Sequence, residues 1–408
     1  MDKIIDRVLC VVLTLLTLLT TNAWSAEWPQ YRGMNRDGVS KETGLSKTWG
    51  AEGPRVIWKV PLGEGYSGMS VVNGRIYTMD AQNGNEYVVC FDAVTGKEIW
   101  RSRSDATFIN DQGNGPRSTP TVDGEMIYTF GAQSYLYAWS AKDGKKIWEN
   151  DLKKTLGAKV PIWGVSSSPL VEGNLLILPV GGGESNAVVA FHKKTGALVW
   201  KSETDEPGYS SPLAVNLNGI RQIIIFSGTM LLSVSPTDGK VLWKYPWKTN
   251  WFVNSAMPIF VPEDKIFIST SYDRGAALLR VRNSGGEVSV EEIWLSKEMK
   301  NHFNSSVLHE GYIYGFDNAV LKCIDANTAE EKWRKSGFGK GSLILADGHL
   351  IVLSERGGLV IVEAAPAAYK EKARAQVLQG KCWTQPTLSE GKLYLRNQKQ
   401  MICIDLAG

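Results

Sequence analysis

The chain has 408 residues, with 45 Lys and Arg against 42 Asp and Glu, a net charge of +3 and 43% hydrophobic residues. So even a balance, with no basic run, gives no reason to expect nucleic acid as a partner. Length alone allows two ordinary domains, but an internal repeat replaces them with one. At the N-terminus, Lys3 and Arg7 flank an apolar run from Val8 to Leu19, followed by Ala23-Trp24-Ser25-Ala26. The run is too short for a bilayer span, which needs roughly 20 apolar residues. Residues 1–25 therefore read as a secretory signal cleaved after Ser25 or Ala26, with a retained anchor helix as the alternative. The expectation is an exported chain whose mature form has no transmembrane span. Residues 26–53 read as an extended N-terminal segment.

From Tyr66 onward one phrase recurs. It appears as Asp-Ala-Val-Thr-Gly-Lys-Glu-Ile-Trp ending at Trp100, and again ending at Trp148, Trp200 and Trp243, with weaker copies ending at Trp294 and Trp333. A period of about 45 residues marks one supersecondary unit stacked on its neighbours. Each phrase is preceded by a second pattern, best seen from Ser118-Thr119-Pro120 through Asp123-Gly124 to Ile127-Tyr128. Short runs rich in Val, Ile and Tyr, parted by Asp-Gly or Glu-Gly, are hairpins. The unit is therefore four strands, which predicts an all-β, eight-bladed β-propeller of four-stranded antiparallel blades over residues 54–408. Only Ala367 to Ala375 shows any helical periodicity. Two blades are degenerate. In the seventh, Ala375 to Leu378 stands where a Trp strand should be. The last, Cys382 to Gly408, has three strands, and Arg55-Val56-Ile57-Trp58-Lys59 is expected to close it as the fourth. The recurring Trp is expected to fill the gap between blades. The turn Gly is expected to need φ > 0.

After signal removal, Cys90, Cys323, Cys382 and Cys403 remain. An even count in an exported chain suggests disulfides. Yet Cys90, Cys323 and Cys403 each stand two residues before an Asp, which makes them one repeat position in three blades, too far apart to bridge. Free buried thiols are the favoured reading.

Ligand sites of propellers lie where loops from one blade's last strand to the next blade's first strand converge on the channel. Those loops carry Tyr66, Arg117, Trp163, Tyr209, Trp251 with Asn254, His302 with Asn304, Lys340, and Trp383. This belt reads either as a funnel for a flat, glycan-like or peptide ligand or as an aromatic plug sealing the channel. The longest such loops, Ser102 to Pro116 and Asn150 to Pro161, are the candidates for partner contact. No catalytic residue and no metal site is read here. His192, His309 and His349 fall at turns, His302 has no placed partner, and no His/Cys cluster has zinc spacing. Asp80, Asn83, Asn85 and Glu86 could crowd a hard cation, but read better as a polar hairpin.

The blade phrase resembles the pyrroloquinoline-quinone (PQQ)-type propeller repeat across roughly residues 54–408. That group includes quinoprotein dehydrogenases and the non-enzymatic outer-membrane assembly factor BamB. The opening from Trp28-Pro29-Gln30-Tyr31-Arg32-Gly33 to Asp37-Gly38, and the ending from Cys382-Trp383 to Arg396-Asn397, look like secreted BamB-like proteins of planctomycetes and related bacteria. The resemblance implies a non-catalytic scaffold of the periplasm or cell envelope. It would bind envelope proteins through inter-blade loops or blade edges, carry no cofactor, and possess a role in outer-membrane protein assembly. The alternatives are a PQQ-dependent alcohol or sugar dehydrogenase using calcium, and a carbohydrate-binding propeller. The chain departs from the dehydrogenases in lacking adjacent cysteines, and from BamB in lacking a lipidated cysteine.

Overall fold

The computed structural model describes residues 26–285 and 287–407. The expected export signal over 1–25 lies outside them. Eight four-stranded antiparallel sheets make up the chain from residue 56 onward. Seven blades span residues 70–106, 121–151, 170–202, 213–246, 259–296, 307–335 and 342–376. The eighth combines residues 387–405 with the N-terminal strand Val56–Pro61, which pairs with Gln400–Asp405 so that Trp58 faces Cys403. The ring is thus closed by its own first strand, and no blade edge is left open between the two ends of the repeat.

The second and third strands of each blade are apolar runs buried on both faces. In the third blade Leu176, Ile177 and Leu178 face Phe191, Ala190 and Val189. Packing against a neighbour on each side removes the polar-out alternation of a half-exposed sheet. One register position explains the recurring Trp. Cys90, Ala138, Ala190, Ser233 and Cys323 lie opposite Trp100, Trp148, Trp200, Trp243 and Trp333. The small side chain leaves room for the indole, which then reaches forward to the next blade. Trp58 Nε1 donates to Ala93 O at 3.2 Å, Trp100 to Ala141 O at 3.3 Å, Trp148 to Lys193 O at 3.1 Å and Trp200 to Pro236 O at 3.1 Å. Each indole also covers that neighbour's turn glycine. A Cβ on Gly196 would lie 2.8 Å from the Trp148 ring, and φ there is +71°. The glycine therefore meets two demands, a left-handed turn and a flat surface for the Trp.

The exceptions follow from the same geometry. Trp243 donates within its own blade, to Gln222 Oε1 at 2.8 Å. The fifth blade next to it has a longer hairpin, Gly275–Ser284 with Glu287–Ser296, in place of the short turn. In the seventh blade the fourth strand is Glu371–Gln376, not the segment at Ala375 to Leu378, and the helical window at Ala367 to Ala375 runs into this strand. There Ala373 takes the Trp position and a larger Ile361 faces it. The helix that does occur, Leu152–Leu156, is capped by Asp151 and ended by Gly157 at φ +68°. One turn is too short to leave a periodic signal. All four cysteines at Cys90, Cys323, Cys382 and Cys403 are free and buried. Asn83 and Asn85 lie at the turn of a hairpin, as read, while Asp80 and Glu86 are buried within its two strands.

Residues 28–46 are more than an extended lead-in. Trp28 bridges Val71 in the first blade, Val39 bridges Leu345 in the seventh, and Leu45 bridges Ala407 beside the eighth. Between these anchors the chain crosses the ring axis. The Arg32 guanidinium donates to Ser305 O and Ser306 O of the sixth blade, at 3.3 and 2.6 Å. The Arg36 guanidinium donates to Ser168 O at 3.2 Å, Pro212 O at 3.0 Å and Pro169 O. These carbonyls belong to the start of innermost strands, so both arginines satisfy backbone acceptors that face the channel. Arg32 is 1% exposed and Arg36 2%. Burial lowers both pKa values, that of Arg36 to about 9.

Candidate functional site

With the axis blocked by its own N-terminal segment, the ring keeps a blind funnel on the face where fourth strands lead to first strands. The cavity has a volume of about 380 Å³, within the range of roughly 300–1,000 Å³ found for small-molecule pockets. Tyr66, Arg117, Trp163 and Tyr209 line it on one side, and His302, Asn304, Lys340 and Trp383 on the other. Two residues expected there are placed differently. Asn254 is buried in the wall, its amide donating to Ser227 O at 2.7 Å and Trp247 O at 3.1 Å. Trp251 stands outside the cavity and is 65% exposed. Its loop turns at Trp251 and Phe252, with φ of +63° and +57°, and so sends Val253 rather than Trp251 into the lining.

The sequence reading missed Tyr31, Tyr272 and Phe303. Phe303 was findable, since it lies between two residues already chosen. Tyr272 sits in a hairpin turn at φ +55°. Tyr31 reaches the funnel only because the N-terminal segment folds back into the ring, which no local pattern announces.

The walls are aromatic and in mutual contact. Trp383 stacks on Tyr66 at 5.4 Å and meets Phe303 at 4.9 Å. Trp163 lies 5.9 Å from Tyr209, and His302 stacks on Tyr272 at 5.3 Å. The Trp383 indole is held from behind by Glu355, 2.8 Å from Nε1, while Lys381 Nζ sits 4.0 Å above the ring. Hydroxyl and amide groups of Thr119, Ser166, Ser211, Ser255 and Gln385 interleave with the rings.

Positive charge enters this surface without a matching acid. Arg117 donates to Trp163 O at 2.8 Å, Gly113 O at 2.6 Å and Gly115 O, and burial lowers its pKa to about 10. Lys340 has no ion pair among the described residues. Burial, and then the nearby Lys340 charge, lower the His302 pKa to about 4, so the imidazole is neutral at pH 7. Its Nδ1 is buried without a hydrogen-bond partner. Burial also raises the Tyr66 phenol to about 12, and this phenol donates to Gln112 O.

No Asp, Glu or Cys lines the cavity. Calcium is held by oxygen ligands, carboxylates foremost. Among the described residues no group of three or more His, Cys, Asp or Glu could hold a metal ion. The lining thus fits the flat faces and negative groups of an organic quinone, but not a calcium ion beside it. The cysteines, buried within or beside blades and never adjacent, supply no vicinal disulfide for stacking.

The rim is built by the loops singled out for length. Glu86 Oε1 accepts from Phe108 N at 3.0 Å and fixes the base of residues 102–116. Asn110 Nδ2 donates to Ile162 O at 3.1 Å and ties the next loop to it. This leaves Ile109 and Ile162 exposed at 71% and 57%.

Comparison with known proteins agrees with this architecture. Over 367 residues, 75% of this chain and 88% of the relative, the sequence is 20% identical to the outer membrane protein assembly factor BamB of Yersinia pestis. Over 148 residues, 34% of this chain, it is 24% identical to the quinoprotein alcohol dehydrogenase PedH of Pseudomonas putida KT2440, and that match spans 24% of the relative's length. Among solved structures, BamB from Moraxella catarrhalis superimposes with a TM-score of 0.60 at 13% identity, covering 86% of this chain and 97% of the other. Quinohemoprotein alcohol dehydrogenase from Comamonas testosteroni gives 0.52 at 11% identity, covering 94% and 81%. These likenesses show a shared fold. Among the described residues no helix is long and apolar enough to cross a membrane. A family model matches residues 48–151 and 111–335, and by that match the chain belongs to the family described as outer membrane protein assembly factor BamB.

Proposed function

We propose that this protein is a non-catalytic binding propeller of the cell envelope that captures an envelope protein at the funnel face. The observation that carries this reading is the rim. Ile109, Ile162 and Trp251 are large, apolar and exposed on the first, second and fourth inter-blade loops. Exposed apolar groups clustered around one opening mark interaction surfaces. Trp251 and Phe252 hold left-handed backbone angles that bulky residues rarely adopt. Such strain costs of order 1–3 kcal/mol and gathers at ligand contacts. The loops Ser102 to Pro116 and Asn150 to Pro161 would make the contact, and the family suggests a partner in outer-membrane protein assembly within the periplasm. The test is a variant with Ile109→Ser, Ile162→Ser and Trp251→Ser, compared with wild type in crosslinking to envelope extract. Loss of specific partners supports the reading. An unchanged partner set removes it.

A second reading, a quinone-dependent alcohol or sugar dehydrogenase, draws on the stacked Tyr66–Trp383 surface beside Arg117. The lack of a carboxylate in the lining weighs against it, because no charged oxygen ligand for calcium is at hand. Titration with pyrroloquinoline quinone and calcium, followed by dye reduction on alcohols and aldoses, decides between them. Turnover would make the funnel an active site.

A further inference from the structure

The funnel differs in chemistry from its apolar rim. Flat rings face inward, hydroxyls and amides lie between them, and the formal charges at the surface, Arg117 and Lys340, are both positive. Rings stack on the C–H faces of sugars while short polar groups answer sugar hydroxyls. Neither Arg117 nor Lys340 has an ion pair among the described residues, and Glu86 and Glu355, the carboxylates beside them, lie outside the lining, so the surface is complementary to an anion. Two polar atoms of lining residues, His302 Nδ1 and Gln385 Oε1, are buried and have no partner within the protein. Tyr31 and the arginine-anchored segment close the floor, so a chain cannot thread the ring. Only an end or a small molecule enters.

We infer that the funnel is a binding site for the terminal, carboxylate-bearing unit of an acidic saccharide, with Trp163 and Trp383 as stacking faces and Lys340 as the carboxylate's partner. The sugar hydroxyls would meet the short polar side chains of Ser166, Ser255 and Asn304 in the lining. An anion beside Lys340 also offsets the charge that disfavours protonation of His302, so binding would draw the imidazole toward its protonated form. This inference stands apart from capture of a protein at the rim, because no rim side chain takes part.

The experiment uses the mature protein, trigalacturonate and its methyl ester, which is the same saccharide with its charge masked. Binding is followed by calorimetry and Trp fluorescence. The acid is expected to bind about tenfold or more tightly than the ester. Lys340→Gln should abolish that difference, and Trp163→Ala should weaken both. As a readout that mere misfolding would not imitate, the His302 ring resonances should titrate at higher pH with the acid bound than with the ester. The rim variant should keep both affinities. Equal affinity for acid and ester, an acid preference that survives Lys340→Gln, or no binding of either saccharide overturns the inference. Tighter binding of pyrroloquinoline quinone than of trigalacturonate also overturns it and assigns the funnel to the quinone.

Discussion

Replacing His302 by Gln tests whether the funnel wall is as dry as the structure implies. Burial comes first, and the Lys340 ammonium second, in holding its pKa near 4 against an ordinary 6.5. Between those two values the unfolded chain binds a proton that the folded ring does not accept. Stability is therefore lost as pH falls from 6.5 toward 4, and is intact above that window. The full difference corresponds to about 3 kcal/mol, of which about 2 kcal/mol falls between pH 7 and pH 5. The imidazole is partly exposed, and solvent screening reduces the expected figure to about 1–2 kcal/mol. The groups that face it are Lys340, the stacked Tyr272 and the edge of Phe303. Gln keeps a polar side chain of similar reach and does not titrate. Urea unfolding of wild type and His302→Gln, each at pH 7 and pH 5, isolates the term because every other group is common to both. Wild type should lose about 1–2 kcal/mol more than the variant. Equal losses would mean that the ring is hydrated in the folded state and that the depressed pKa is wrong.

Other outcomes follow from the blade geometry. Gly196→Ala and Gly124→Ala both place a Cβ at positive φ, but only at Gly196 does that atom meet a Trp ring. Thermal melts should show a cost of about 1 kcal/mol at Gly124 and about 2–4 kcal/mol at Gly196. Arg36→Met leaves buried carbonyls of Ser168, Pro169 and Pro212 without a donor. It should destabilise the protein by about 1–3 kcal/mol and speed amide exchange across residues 28–38, which hydrogen-exchange mass spectrometry reads directly. Burial pushes the thiols of Cys90, Cys323, Cys382 and Cys403 up to about 12. A thiol reagent at pH 8 should therefore leave the native protein unlabelled and modify all four cysteines after unfolding.

The ring was legible in the sequence because each blade repeats one solution to one packing problem. The small residue facing the Trp, the Asp-Gly turn and the Trp itself sit at fixed offsets, and Cys90, Cys323 and Cys403 declare their role by sharing that register. The repeat also located the funnel, since loop order places Tyr66, Arg117, Trp163, Tyr209, His302 and Trp383 at one level. It did not locate what departs from the repeat. Trp251 lies at the expected level, yet two left-handed residues in succession turn it outward. Left-handed backbone at a Trp and a Phe is set by the surrounding loop rather than by their own preference. The path of residues 28–46 was equally hidden. Its anchors are carbonyls hundreds of positions away, and backbone acceptors carry no sequence signature.

That path also accounts for the electrostatic character of the funnel. Arg32, Arg36, Arg117 and Arg396 all satisfy their guanidinium groups with backbone carbonyls; Arg396 reaches Met79 O and Gly63 O at 2.9 Å each. A carbonyl dipole answers a donor, but it does not cancel a unit charge. Asp37 beside Arg32 offsets part of this charge. Asp80 is engaged by Arg101 at 2.6 Å, and burial raises the pKa of Glu86 to about 7, so that much of its charge is absent at neutral pH. Formal positive charge therefore accumulates near the ring axis inside a low-dielectric wall, where its field is poorly screened. Blocking the axis with arginines in place of apolar side chains has an electrostatic consequence. The buried arginines of the floor add to the positive charge that Arg117 and Lys340 present at the open end.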